Sequence, residues 1–240
     1  MVPDPVRQVV DEWRAAGSPP QEGITWPWQR WMEQFPEQIT VFTSLPDSLT
    51  RPAVHCACLS AAASAPDAER AFLAVMAWGY GRVGYGPFRV RRLLDATPNV
   101  GTQLQVAARN VTAGRPVDAY ASLGDHGLPT LAHLGPAFGT KFLYFCPSTE
   151  TKRALILDRL VARWLRNNTD LALNEVRWSV STYTCYLETM FRWADELTVT
   201  PDELEACIFS KQAELVASQW APAGQATRRI PRRTRGRKSR

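Results

Sequence analysis

Apolar residues recur every three or four positions along most of this chain, the spacing of helices that bury one face. "PVRQVVDEWRAAG" sets Val6, Val9, Val10 and Trp13 on one side and stops at Gly17, the residue type that most easily ends a helix. Near the other end, "TPDELEACIFSKQAEL" supplies Thr200 as N-cap, Pro201 at the first helical position and Glu203 at the third. Together these make a capping box with a proline start. Between them, "DAERAFLAVMAWG", "FRVRRLLDA", "GTQLQVAARNVTAG", "PVDAYASLG", "LPTLAHLG", "TKFLYFC", "ALILDRLVARWL" and "NEVRWSVSTYTCYLETMFRWADEL" all carry helical spacing between Gly or Pro breaks. Only "EQITVFTSL", around Val41, alternates like a strand. The pattern predicts an all-α protein of roughly ten helices with no internal repeat.

Composition narrows the class. A chain of 240 residues at 45% hydrophobic content can bury a large core. Its five cysteines, Cys56, Cys58, Cys146, Cys185 and Cys207, are odd in number and form no paired C-x-x-C motif. A reduced cytosolic protein without a metal centre is expected. "MVPDPVRQVVDEW" has neither a basic start nor an apolar core, and no window approaches the roughly 20 apolar residues of a membrane span. The expectation is a soluble protein that is not exported, with no membrane partner.

The net charge of +5 is unevenly placed. "RRIPRRTRGRKSR", Arg228 to Arg240, holds eight Lys and Arg and no acid, leaving 20 basic against 23 acidic residues elsewhere. Too few apolar groups are present there to offset ordering entropy, so residues 225–240 are expected to be a disordered basic tail behind one helical domain, residues 1–224. A run of this kind suits a polyphosphate, whose condensed counterions it releases. A solvated tail without a partner is the alternative.

"GYGRVG", Gly79 to Gly84, matches the dinucleotide pattern G-x-G-x-x-G, but that motif should follow a buried strand and open a helix. The preceding "AFLAVMAW" has helical spacing, so the nucleotide reading is set aside. Two readings of the loop remain. Trp78, Tyr80 and Tyr85, interleaved with Arg82, Arg89, Arg91 and Arg92, could stack on bases and meet phosphates, or the glycines could pack helices around core aromatics.

"GPAFGTKFLYFC", Gly135 to Cys146, reads as a turn entering a helix, with "LPTLAHLG" as the helix before it. A helix–hairpin–helix unit over about 128–146 results, with Thr140 and Lys141 in the first turn of its second helix. Amides at such a terminus favour an anion, and DNA phosphate is the evident one. Seventeen residues after Lys141, Asp158 interrupts an apolar run. It would serve as a plain N-cap for "RLVARWL" as readily as a functional carboxylate.

At Pro136, Ala137, Phe138, Gly139, Thr140, Lys141 and Asp158 the chain resembles the helix-hairpin-helix DNA glycosylases, and among them the 8-oxoguanine DNA glycosylases. Their hairpin reads approximately P-G-V-G-T-K. The resemblance is strong over residues 131–165 and otherwise rests on helical character. It implies a helix-hairpin-helix glycosylase-like fold in two interleaved helical subdomains. It also implies removal of an oxidised purine, with Lys141 as the nucleophile that forms a Schiff base and Asp158, on a helix over about 154–167, as its catalytic partner. Schiff-base chemistry would add abasic-site lyase activity. Gly135, Ala137, Gly139, Thr140 and Arg163 would contact DNA, Arg163 matching an arginine of the endonuclease III branch. Phe145 would pack on the extruded base, with Trp78, Tyr80 and Tyr85 as further pocket candidates. The chain departs from the pattern at Ala137, where the hairpin has glycine, and at Leu160, where a histidine is frequent. No four-cysteine run is present, so no cluster, metal or other cofactor is expected. His55, His126 and His133 are expected to be structural. The predicted partner is double-stranded DNA carrying a damaged base, met by a monomer of compact, prokaryotic, nucleoid-associated type. The alternative is a noncatalytic helix-hairpin-helix DNA-binding protein in which Lys141 contacts phosphate.

Overall fold

The computed structural model describes residues 1–125, 128–129, 131–148 and 153–220, so the basic tail and His126 lie outside the described residues. Among these are twelve α-helices and two short antiparallel ladders. The fold of the described residues is all-α. α1 (Asp4–Ala15) buries Val6, Val9 and Val10, the face its spacing predicts. β1 (Ile24–Thr25) pairs with β2 (Ser48–Leu49).

The expected strand around Val41 is instead α-helical. A 3-10 turn at Pro36–Gln38 runs into α3 (Ile39–Thr43), following α2 (Trp28–Gln34). Val41 and Phe42 are both buried, which a strand with one solvated face would not permit. Phe42 packs with Trp31 at a ring separation of 5.7 Å and with Phe35 and Trp26 at 6.0 Å each. Aromatic packing from neighbouring elements overrides the local alternation.

α4 (Arg51–Ala57) is capped by the Thr50 hydroxyl, which accepts from the Ala53 amide at 3.3 Å. α5 (Ala65–Tyr80) is buried without interruption from Ala71 to Trp78, as a helix surrounded on all sides must be. Packed around it are α4, α6 (Gly86–Ala96), α7 (Val100–Thr112) and α9 (Pro136–Phe145), with α8 (Pro116–Leu123) against α7 and α9. The second lobe joins the first helix to the last three. There α12 (Pro201–Trp220) packs on α1, α10 (Arg159–Asn168) and α11 (Val180–Leu197). The predicted capping box closes the start of α12: the Thr200 amide donates to Glu203 Oε2 at 2.8 Å, and the Glu203 amide to Thr200 Oγ1 at 3.3 Å. α8 bridges the lobes through Tyr120, stacked 4.4 Å from Tyr183 of α11 and donating to the Trp178 carbonyl at 2.7 Å.

Two further expectations are corrected. "LPTLAHLG" is not a helix where it is described: β4 (Leu128–Pro129) pairs with β3 (Gly124–Asp125), and a turn follows at Leu131–His133. Eight residues are too few to hold a helix by propensity, and burial of Leu131 and Leu134 fixes the turn instead. α9 therefore begins at Pro136, which moves Thr140 and Lys141 into its second turn. The aspartate helix also starts later than expected. Ala154–Leu157 is not helical but a fully buried segment leading to α10 at Arg159.

Candidate active site

A buried backbone without helical bonds must find other partners. Those of this segment are hydroxyls from other elements. Tyr183 donates to the Leu155 carbonyl and Tyr186 to the Ile156 carbonyl, each at 2.8 Å. The Leu157 amide donates to Thr140 Oγ1 at 3.1 Å, and the Thr140 hydroxyl lies 3.0 Å from the Leu157 carbonyl and 3.1 Å from that of Ala137. The next residue in each chain segment is then a member of the predicted pair. Lys141 Nζ donates to Asp158 Oδ2 at 3.0 Å.

Asp158 caps one helix and faces the lysine with its other oxygen. Oδ1 caps α10, accepting from the Leu160 amide at 3.0 Å and the Val161 amide at 3.2 Å, while Oδ2 faces the lysine. Burial raises its pKa, but the Lys141 charge, its hydrogen bond and the two amides prevail and hold the carboxyl below the usual carboxylate range. The pair's side chains are only 11% and 13% exposed, so both charges have lost most of their hydration. The helix N-terminus and the three hydrogen bonds offset that cost.

Both side chains line a cavity of about 170 Å³, where Trp78, Ile24 and Phe209 supply apolar wall and Gln21, Arg51 and Glu205 supply polar groups. That volume compares with the roughly 150 Å³ cavity known to take up benzene, so an aromatic ring fits. Gly79 lies against the lysine stem: a Cβ there would stand 2.9 Å from the Phe138 ring and 3.3 Å from Lys141 Cδ.

The other predicted residues fall in different places. Thr140 is fully buried with its hydroxyl engaged, and Gly139 is buried against Leu123. Gly135 is exposed and Ala137 half-buried; the Phe138 and Gly139 amides both bond to the Gly135 carbonyl. Arg163 is held by Glu175 through two bonds of 3.1 and 2.8 Å, and Arg166 reaches the same carboxylate at 2.8 Å. Their hydrogen bonds pull Glu175 down to about 2. Trp78 lines the cavity, whereas Phe145 stands behind it, buried, edge-on to Trp78 at 5.0 Å. Tyr80 stacks on Phe138 at 4.4 Å, and Tyr85 is exposed with Arg89 over its ring at 4.9 Å. His55 packs on Phe145 and Tyr144 at 4.9 and 5.0 Å; burial and the Arg153 charge push it down to about 4, leaving it neutral near pH 7. His133 is exposed at a φ of 65°.

Sequence reasoning missed Gln21, Arg51, Phe209 and Glu205. A signal for Glu205 existed, because it stands three residues before the apolar Ile208 on the inward stripe of α12. Burial raises its pKa and the adjacent Arg51 opposes that rise. Among the described residues no group of His, Cys, Asp and Glu could hold a metal ion, and no helix is long and apolar enough to cross a membrane.

A lysine and a helix-capping carboxylate brought together over an aromatic-walled cavity, between two helical lobes, belong to an all-helical protein of DNA glycosylase type. Residues 17–209 match the family described as "Putative 8-oxoguanine DNA glycosylase OGG-like protein". The chain belongs to that OGG-like glycosylase family. No curated protein and no solved structure matches it.

Proposed function

We propose that this protein removes an oxidised purine, 8-oxoguanine, from double-stranded DNA and then cleaves the abasic site through a Schiff base on Lys141. The observation that carries this reading is the 3.0 Å contact of Lys141 Nζ with a carboxylate fixed by its own helix N-terminus, at the wall of a ring-sized cavity. A base inside duplex DNA cannot reach such a cavity, so the nucleotide must first rotate out of the stack. The Lys141 amine then attacks C1′, the C1′–N9 bond breaks, and its electron pair leaves with the base. The proton that Lys141 sheds passes to the departing base, so that Asp158 stays an anion and stabilises the cationic character of the sugar; preorganised groups of this kind commonly contribute about 10² to 10³ in rate. Opening of the sugar ring gives the iminium; loss of a C2′ proton then expels the 3′ phosphate, and water releases the lysine. Gly135 and Ala137, at the exposed start of α9, are the hairpin positions left to meet backbone phosphate.

Borohydride reduction in the presence of duplex DNA containing 8-oxoguanine tests the reading. A covalent adduct is expected with the natural protein and none with Lys141→Gln. Binding to the duplex without adduct or base release would replace the enzyme with a noncatalytic DNA-binding protein.

A further inference from the structure

The cavity wall continues into an exposed face that the reaction above does not use. Trp78 and Gly79 lie in the last turn of α5, at the cavity, and residues 81–85 carry the chain from there outward to α6. This turn rests on β1: a Cβ on Gly81 would stand 2.9 Å from Ile24 Cγ2, and Arg82 Nε donates to Thr25 Oγ1 at 2.7 Å. Ile24 is itself part of the cavity wall. On the outer side stand two aromatic rings, Tyr85 and Phe88, three residues apart at the start of α6 and 56% and 63% exposed. Large apolar groups left uncovered together mark a surface that meets a partner.

The charge beside the rings selects that partner. Arg82, Arg89 and Arg92, from the turn and α6, are exposed, and so is Arg30 of α2, whose guanidinium lies over Gly84. None of the four has a carboxylate partner among the described residues; Glu33 and Asp95, the acids of the same two helices, pair with none of them. Arg91, half-buried on α6, is by contrast held by Glu37. Uncompensated guanidiniums around exposed rings suit a polyanion that also offers flat faces to stack on, which is DNA. Of the two rings, Tyr85 is the one braced from below. Tyr80 meets it edge-on at 6.1 Å and Arg89 lies over it at 4.9 Å. Tyr80 in turn stacks on Phe138 at 4.4 Å, and the Phe138 ring centre is 5.7 Å from Lys141 Nζ. Three rings in contact thus run from the nucleophile to the surface, and a ring already held in place loses little freedom when it is covered.

We infer that the duplex lies on this face, with Arg30, Arg82, Arg89 and Arg92 meeting its phosphates and Tyr85 entering the stack at the gap that the extruded nucleotide leaves. This rests on the glycosylase reading of the adjoining cavity. Extrusion breaks stacking on both sides of the lesion; an inserted ring restores part of it and keeps the nucleotide from swinging back. Tyr85 is therefore a positioning residue outside the base pocket, and Phe88 is covered by the same duplex.

The test compares single-turnover release of 8-oxoguanine from duplex DNA by the natural protein, Tyr85→Ala and Tyr85→Phe, each in saturating excess. Tyr85→Ala should slow release from a lesion paired with cytosine about 10- to 100-fold, the worth of one stacked base, and Tyr85→Phe, which keeps the ring, should recover most of the rate. Opposite a mismatched base, where extrusion costs least, the ratio of natural to Tyr85→Ala rates should shrink to a few-fold. Binding to undamaged duplex reads the arginines separately: Arg30→Gln, Arg82→Gln, Arg89→Gln and Arg92→Gln should each lower the slope of log affinity against log salt by about one. A natural rate in Tyr85→Ala, or a loss of equal size on paired and mismatched lesions, would overturn the insertion and leave the lysine chemistry standing. Unchanged slopes in all four arginine variants would overturn the surface in the same way. Absence of any adduct with the natural protein, on lesion or abasic DNA, would remove the reaction and the role of Tyr85 with it.

Discussion

The Thr140 side chain is bonded to the backbone of Leu157, accepting from its amide at 3.1 Å and lying 3.0 Å from its carbonyl. Each of these residues immediately precedes one member of the Lys141–Asp158 pair. The distance between amine and carboxylate is therefore set by the backbone, one residue upstream, and not left to two flexible side chains. Rigid support of this kind is what keeps a catalytic pair within a fraction of an ångström of its working geometry.

Thr140→Val keeps the shape and removes the hydroxyl, stranding a buried amide. That should lower stability by about 1–3 kcal/mol, seen as a shift in the denaturation midpoint. Adduct formation should slow at least tenfold, because the register of the two helices loosens. Thr140→Ser returns the hydroxyl and should recover most of both. A valine variant with unchanged midpoint and rate would show that the spacing is fixed elsewhere.

Much of this arrangement was legible in the sequence, and the part that was not has a common cause. The buried face of α1, the Thr200–Glu203 capping box and the pairing of Lys141 with Asp158 follow from local spacing or from the resemblance of the hairpin. Ala154–Leu157 was misread because an apolar run looks the same in a helix and in a buried extended segment. What decides between them is the supply of hydroxyls from Tyr183, Tyr186 and Thr140, at least 17 residues away in each bond. A start of α9 later than Pro136 would leave the Thr140 hydroxyl in the first turn, whereas in the second turn it is bonded to the Leu157 and Ala137 backbone. Arg51 left no sequence signal: it directly follows the cap of a short helix, where a solvated arginine is ordinary.

Asp158→Asn separates the charge from the cap. The amide oxygen can still accept from the Leu160 and Val161 amides, so α10 should keep its start, whereas the anion facing Lys141 is lost. Base release should fall about 10² to 10³-fold with little change in secondary structure. The pH dependence has a definite sign. The folded carboxyl titrates below its ordinary value of 3.8, so it contributes stability that is complete above that value and is lost as pH falls through the folded one. Stability measured against pH should therefore fall more steeply below pH 3.8 in the natural protein than in Asp158→Asn. Parallel curves would mean that the ion pair contributes nothing to folding.

Gly79→Ala tests how closely the cavity wall is fitted to the nucleophile. Gly79 lies inside α5, where alanine is ordinarily favoured by about 1 kcal/mol. Here the added Cβ meets the Phe138 ring at 2.9 Å and Lys141 Cδ at 3.3 Å, and overpacking of this kind typically costs about 1–3 kcal/mol. The two effects oppose, so global stability should fall by no more than about 2 kcal/mol. Lys141 has less room to yield, since its amine is tethered to Asp158 and its backbone to the second turn of α9. The amine should therefore be displaced from its attacking position, and the rate of adduct formation on a preformed abasic site should drop at least tenfold while DNA affinity is kept. An alanine variant that traps the abasic site at the natural rate would show that the Lys141 stem is free to move aside, and that the glycine serves helix packing alone.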